Sequence, residues 1–151
     1  MKLAKAIQKA KHVYLIGNGG SYANAAHIAN DLLALGIKAF TLDAATLTAS
    51  ANDFGYATVF ARWIATVGEP GDLMVALSGS GKSENIVAAL QAAKEKGIAT
   101  WAIMGDFGAR QGPCFALADN SSTWGKTMQE AEEKQLYIGH KVMQWLKDSS
   151  Y

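Results

Sequence analysis

Leu73-Met74-Val75-Ala76-Leu77-Ser78-Gly79-Ser80-Gly81-Lys82-Ser83 is an apolar run that passes directly into a Gly/Ser-rich turn. An apolar run of this length, with no alternation, reads as a strand buried on both faces, as in a parallel sheet. Residues 83–96 then carry helical spacing and stop at Gly97. The unit is therefore strand, turn, helix.

The same unit stands upstream. Residues 12–16 (HVYLI) form a short β-branched and aromatic run ending at Gly17. A turn rich in glycine follows, and residues 21–35 read as a helix closed by Gly36. Residues 39–42 predict a second strand, 44–50 and 56–67 two helices, with a turn at 53–55 between them. Residues 98–104 predict another buried strand, 115–118 a short edge strand, and 127–147 a long final helix. Strands alternating with helices predict an α/β fold, a three-layer α-β-α sandwich around a mostly parallel, flavodoxin-like sheet. The chain of 151 residues fits one domain, with residues 1–11 as the remnant of an N-terminal helix.

Composition narrows the function. Hydrophobic residues make up 50% of the chain, and 14 basic against 13 acidic residues leave a net charge of +1. That balance lacks the basic excess of a nucleic-acid binder, so no nucleic-acid partner is expected. No window approaches the roughly 18 apolar residues of a membrane span, so no membrane partner is expected either. The lone cysteine, Cys114, cannot form an intrachain disulfide, and a cytoplasmic location is the expectation.

Both glycine-rich turns sit where an open parallel sheet binds ligands, at the carboxyl ends of its strands. Gly17-Asn18-Gly19-Gly20-Ser21 opens the first helix. Glycine lets a ligand approach the backbone, and a helix N-terminus offers unpaired N–H groups to an anion. Ser78-Gly79-Ser80-Gly81-Lys82-Ser83 adds three hydroxyls at an equivalent place. Its tail resembles the end of a Walker A motif, but that motif needs a glycine where Ala76 stands. No nucleotide cofactor is expected. The ligand these turns suit is a small phosphorylated molecule, most simply a sugar phosphate.

Four stretches together carry a family resemblance: Gly17–Ser21, Ala26-His27-Ile28-Ala29-Asn30-Asp31-Leu32, Asn52-Asp53-Phe54-Gly55, and Leu77–Ser83. The chain resembles the sugar isomerase (SIS) domain and, within it, the bacterial phosphoheptose (sedoheptulose 7-phosphate) isomerases. The resemblance implies an aldose–ketose isomerase that moves a proton through an enediol. It implies substrate contacts from Asn18, Gly19, Gly20, Ser21, Asn52 and Asp53, and a phosphate grip from Ser78, Gly79, Ser80 and Ser83. It further implies zinc held by His27, Asp31, Glu132 and His140, with Glu132 also touching substrate. Asp31 would be the base and His140 the acid. A homo-oligomer, tetramer or dimer, is implied as well. A binder of sugar phosphates on the same fold, without turnover, is the alternative.

The chain departs from the family at named positions. Asp31 stands for a glutamate, Glu132 for a glutamine, Gly79 for a threonine and Lys82 for an asparagine. Spacing speaks to part of the set on its own. His27 and Asp31, four residues apart, share one helical face. That spacing suits a metal pair and equally a half-buried histidine beside a surface charge. Glu132 and His140 are eight apart, which leaves them roughly 80° apart around a helix. His140 lies in an apolar stripe with Met143 and Trp145 nearby, consistent with a core or subunit-interface position.

Overall fold

The computed structural model describes residues 1–108, 110 and 112–149; the last two positions of the expected 1–151 domain lie outside them. Five strands form one sheet: β1 Val13–Ile16, β2 Ala39–Thr41, β3 Leu73–Ser78, β4 Ala99–Met104 and β5 Asn120–Thr123. Their order is β2-β1-β3-β4-β5, and every pairing is parallel. This is the flavodoxin-like order, whose direction of winding reverses between β1 and β3.

Alternate residues of each strand feed opposite faces, as the period of two requires. Val13, Leu15, Val75, Leu77 and Ile103 pack with one helical layer, formed by α1 Lys2–Lys9, α2 Gly20–Ala34 and α7 Met128–Ser149. Tyr14, Ile16, Met74, Ala76 and Met104 pack with the other, which contains α4 Val59–Val67 and α5 Glu84–Glu95. The result is the expected three-layer sandwich. Leu3, Ala4 and Ile7 of α1 are buried in the first layer, beside Leu146 of α7. Met143 and Trp145, candidates for an interface, are half-buried against that same core of their own chain.

Three local expectations change. The helix predicted over 44–50 runs on as α3 Ala44–Phe54, so Asp53 and Phe54 are helical and the turn is confined to Gly55. Gly55 takes φ 89°, a conformation that glycine adopts without a Cβ clash. A single 3-10 turn, Tyr56–Thr58, then leads into α4. The edge strand expected at 115–118 is instead helix α6 Pro113–Leu117. Pro113 sits at its first position, where a proline's fixed φ and missing N–H do no harm. The edge strand itself is β5, which starts five positions further on, at Asn120. Asn120-Ser121-Ser122-Thr123 has no apolar signature because an edge strand is only half covered.

Candidate active site

The two glycine-rich turns meet at the carboxyl edge of the sheet. In the first, Gly17 has no room for a side chain, since a Cβ would lie 2.6 Å from the Ser21 backbone. Gly19, φ 54°, turns the chain into α2. In the second, Ser78 is buried at the end of β3 and its Oγ accepts a hydrogen bond from Gly81 N at 3.1 Å. Ser80 Oγ accepts from Lys82 N at 3.2 Å. Ser83 caps α5 through its backbone, with no side-chain capping bond. Both helices thus aim their N-termini, with unpaired N–H groups and positive dipole ends, at the same place.

A cleft of about 260 Å³ lies between the turns, lined by Asn18, Gly19, Gly20, Ser21, Ser78, Gly79, Ser80 and Ser83. These eight are among the residues singled out in the sequence for the phosphorylated ligand. Leu77, Met128 and Glu132 complete the lining. Lys82 is exposed and is not among the lining residues. At Gly79, a Cβ would meet Met128 Sδ at 2.2 Å. The start of α7 therefore fills the space where the family's threonine would stand.

Asn18 is held on two sides. Its Nδ2 donates to Asn85 Oδ1 at 2.9 Å, and Asn85 Nδ2 donates back to Asn18 Oδ1 at 2.8 Å. The Tyr56 hydroxyl also donates to Asn18 Oδ1. Neither Asn85 nor Tyr56 emerges from the sequence reading. The available signal was an amide two residues into the helix after the serine turn, at a position that turns out to be buried.

A second cluster lies further down the same pair of helices. His27 and Asp31 of α2 meet His140 of α7: His27 Nε2 is 3.2 Å from His140 Nε2 and 3.3 Å from Asp31 Oδ2. His140 Nε2 stands 4.0 Å from Asp31 Oδ2. Each residue offers one ligand atom, and these atoms lie within 4.8 Å of one another. Two imidazoles and a carboxylate are a donor set that zinc accepts, with further positions open. The cluster is solvent-accessible, with Asp31 the least exposed of the three.

Glu132, expected as a fourth member, does not join it. Eight residues of helix separate it from His140 by roughly 12 Å along the axis. Its carboxylate instead rests against Gly20, where a Cβ would lie 2.5 Å from Glu132 Oε2. Asn24 holds α7 there by donating its Nδ2 to the Glu132 carbonyl at 2.8 Å and to Gln135 Oε1 at 3.2 Å. Asn52 and Asp53 sit at the exposed end of α3, outside the cleft lining, with Asn52 Nδ2 donating to Asp53 Oδ1 at 3.1 Å.

Helices α2 and α7 thus touch at two levels. At the upper level Gly20 meets Glu132, beside the cleft. At the lower level His27 meets His140. Gly139, the neighbour of His140, makes the second approach possible: a Cβ there would lie 2.6 Å from Ile28 Cγ1.

Comparison with known proteins gives a consistent picture. A family model described as SIS domain matches residues 1–105. The phosphoheptose isomerase of Akkermansia muciniphila is 35% identical over 151 aligned residues, covering 92% of this chain and 77% of that protein. The structure of a phosphoheptose isomerase from Francisella tularensis superposes with a TM-score of 0.88 at 27% identity, covering 97% of this chain and 83% of that one. The enzyme of the same name from Neisseria gonorrhoeae gives 0.87 at 26%, covering 97% and 81%.

Proposed function

The chain belongs to the SIS domain family, and from that premise we propose that it is a phosphosugar aldose–ketose isomerase acting on sedoheptulose 7-phosphate. One observation carries the reading. Helices α2 and α7 border a glycine- and serine-lined cleft of about 260 Å³ at one level and bring two imidazoles and a carboxylate together at another. A sugar phosphate has that polarity, with its anion at one end and its carbonyl at the other.

The phosphate sits between the N-termini of α2 and α5, on Ser78, Ser80, Ser83 and the amides of Gly19, Gly20 and Ser21. Asn18 and Glu132 meet the sugar chain as it runs from the cleft toward the level of His27 and His140. Asn52 and Asp53 enter as sugar contacts on the strength of the resemblance, from the end of α3 next to Tyr56. Asp31 takes a proton from C1 of the ketose. The electron pair left behind forms the C1=C2 bond, and His140 donates a proton to the former carbonyl oxygen. Returning a proton to C2 and withdrawing one from the C1 hydroxyl completes the aldose. His27, hydrogen-bonded to His140 and 3.3 Å from Asp31 Oδ2, holds the two in register.

His27, Asp31 and His140 are also the residues that would hold zinc. When bound there, the ion supplies Lewis acidity toward a carbonyl oxygen. We place the protein in the cytoplasm as a single domain over residues 1–151 that works as a homo-oligomer. No helix among the described residues is long and apolar enough to cross a membrane.

The test is NMR of sedoheptulose 7-phosphate incubated with the protein. Heptose 7-phosphate signals should grow in with wild type and vanish with Asp31→Ala. The absence of new signals with wild type would leave a sugar-phosphate binder without turnover.

A further inference from the structure

The buried amide of Asn85 has no place in the chemistry above. It lies in the first turn of α5, immediately after the serine turn, and is 3% exposed. Both of its polar atoms are engaged by one partner, the Asn18 side chain, 67 residues away in sequence. Asn18 belongs to the other glycine-rich turn and lines the cleft.

Counting the bonds on Asn18 shows what the arrangement achieves. An asparagine amide offers two acceptor positions on its oxygen and two donor hydrogens on its nitrogen. The oxygen accepts from Asn85 and from Tyr56, which fills both positions. One N–H goes to Asn85 Oδ1. What remains is a single N–H donor. Freed from these partners, the side chain could present either end to a ligand. Held by them, it can only donate.

We propose that Asn85 is a positioning residue, which with Tyr56 locks Asn18 as a one-way hydrogen-bond donor to an oxygen of the sugar. The inference rests on the isomerase reading for the identity of the ligand. It adds a mechanical link: because Asn85 lies in the first turn of the helix that follows the serine turn, the Asn18 side chain on the first turn is set by the second. A fixed donor is worth more than a mobile one, because no ordering is left to be done when the ligand arrives. The donor also discriminates. It suits a ligand with an acceptor oxygen at that point, and it gives nothing to inorganic phosphate bound alone on the serine turn.

The experiment is titration calorimetry of the full chain with two probes, sedoheptulose 7-phosphate and inorganic phosphate. The proteins are wild type, Asn18→Ala, Asn85→Ala, the double variant and Tyr56→Phe. Asn85→Ala should weaken the sugar phosphate about tenfold, while inorganic phosphate stays within about twofold. In the Asn18→Ala background the Asn85 change should add less than about twofold, since the group it positions is gone. Tyr56→Phe removes one exposed hydroxyl and keeps the ring, so it folds even if Asn85→Ala does not. It should weaken the sugar phosphate about threefold with the same selectivity. Equal losses for both probes, or losses that add in the double variant, would overturn the proposal. Turnover by wild type is followed separately. Selective binding loss without wild-type turnover contradicts the isomerase reading alone, and turnover without selectivity contradicts this inference alone.

Discussion

His27 and His140 bring their Nε2 atoms to 3.2 Å of each other from positions 113 residues apart. Asp31 Oδ2 lies 3.3 Å from the first of them. Zinc binds imidazole nitrogen and carboxylate oxygen at about 2.0–2.1 Å, so two ligands of a tetrahedral ion stand roughly 3.3 Å apart. Two of the three separations match that edge, and the third, at 4.0 Å, needs a small side-chain adjustment. The chain should therefore bind one zinc ion, measured by equilibrium dialysis with elemental analysis. His27→Ala and His140→Ala should each lose more affinity than the about 10–100-fold that removing an outer-shell partner costs. Unchanged binding in both would place the metal elsewhere.

Gly139 sets the distance between those histidines. A Cβ added there would lie 2.6 Å from Ile28 Cγ1, so Gly139→Ala must push α7 away from α2. Denaturant unfolding should show a loss of about 1–3 kcal/mol from overpacking. Zinc affinity should fall in the same variant, although no ligand has been touched. A stability loss with full zinc affinity would show that the helices part elsewhere.

Glu132 puts a carboxylate into the cleft proposed to hold the phosphate. Glu132→Gln keeps the shape and removes the charge. Inorganic phosphate should bind the variant roughly tenfold more tightly at low ionic strength. Salt screens the repulsion, so the gap between variant and wild type should close as ionic strength rises. Equal affinities at low salt would mean that the Glu132 carboxylate is turned away from the phosphate.

Cys114 is fully buried on α6, and burial pushes its thiol up to about 11 from 9.0. The thiolate is the reactive form, so an aromatic disulfide reagent at pH 8 should label the native protein far more slowly than the unfolded chain. A raised folded value also has a stability consequence. Its contribution is complete below pH 9, and it is lost as pH climbs toward 11. Cys114→Ala should flatten that alkaline part of the stability profile. Rapid labelling of native protein would show that α6 opens.

Much of the fold was legible because its strands are buried on both faces and therefore apolar throughout, as in Leu73–Ser78. β5 escaped notice for the opposite reason: as an edge strand it consists of Asn, Ser and Thr. Within the site, the turns were readable because glycines and serines at a strand–helix junction have a local cause. The His27–Asp31 pair was readable from helical spacing. The contact with His140 was not, because it depends on how α2 and α7 lie against each other, and Gly139 decides that. Glu132 shows the same limit. Its eight-residue separation from His140 puts it at the upper contact between the helices, against Gly20, and not among the candidate metal ligands. Asn85 was invisible because its importance comes entirely from the partner it meets in space.

In the proposed reaction Asp31 and His140 move a proton between adjacent carbons of a phosphorylated ketose. Proton NMR of the reaction with sedoheptulose 7-phosphate in deuterium oxide tests it most directly. Heptose 7-phosphate carrying deuterium at C2 should form, because the base exchanges its proton with solvent, and Asp31→Asn should give no product. Product that forms equally well without the Asp31 carboxylate would contradict that role.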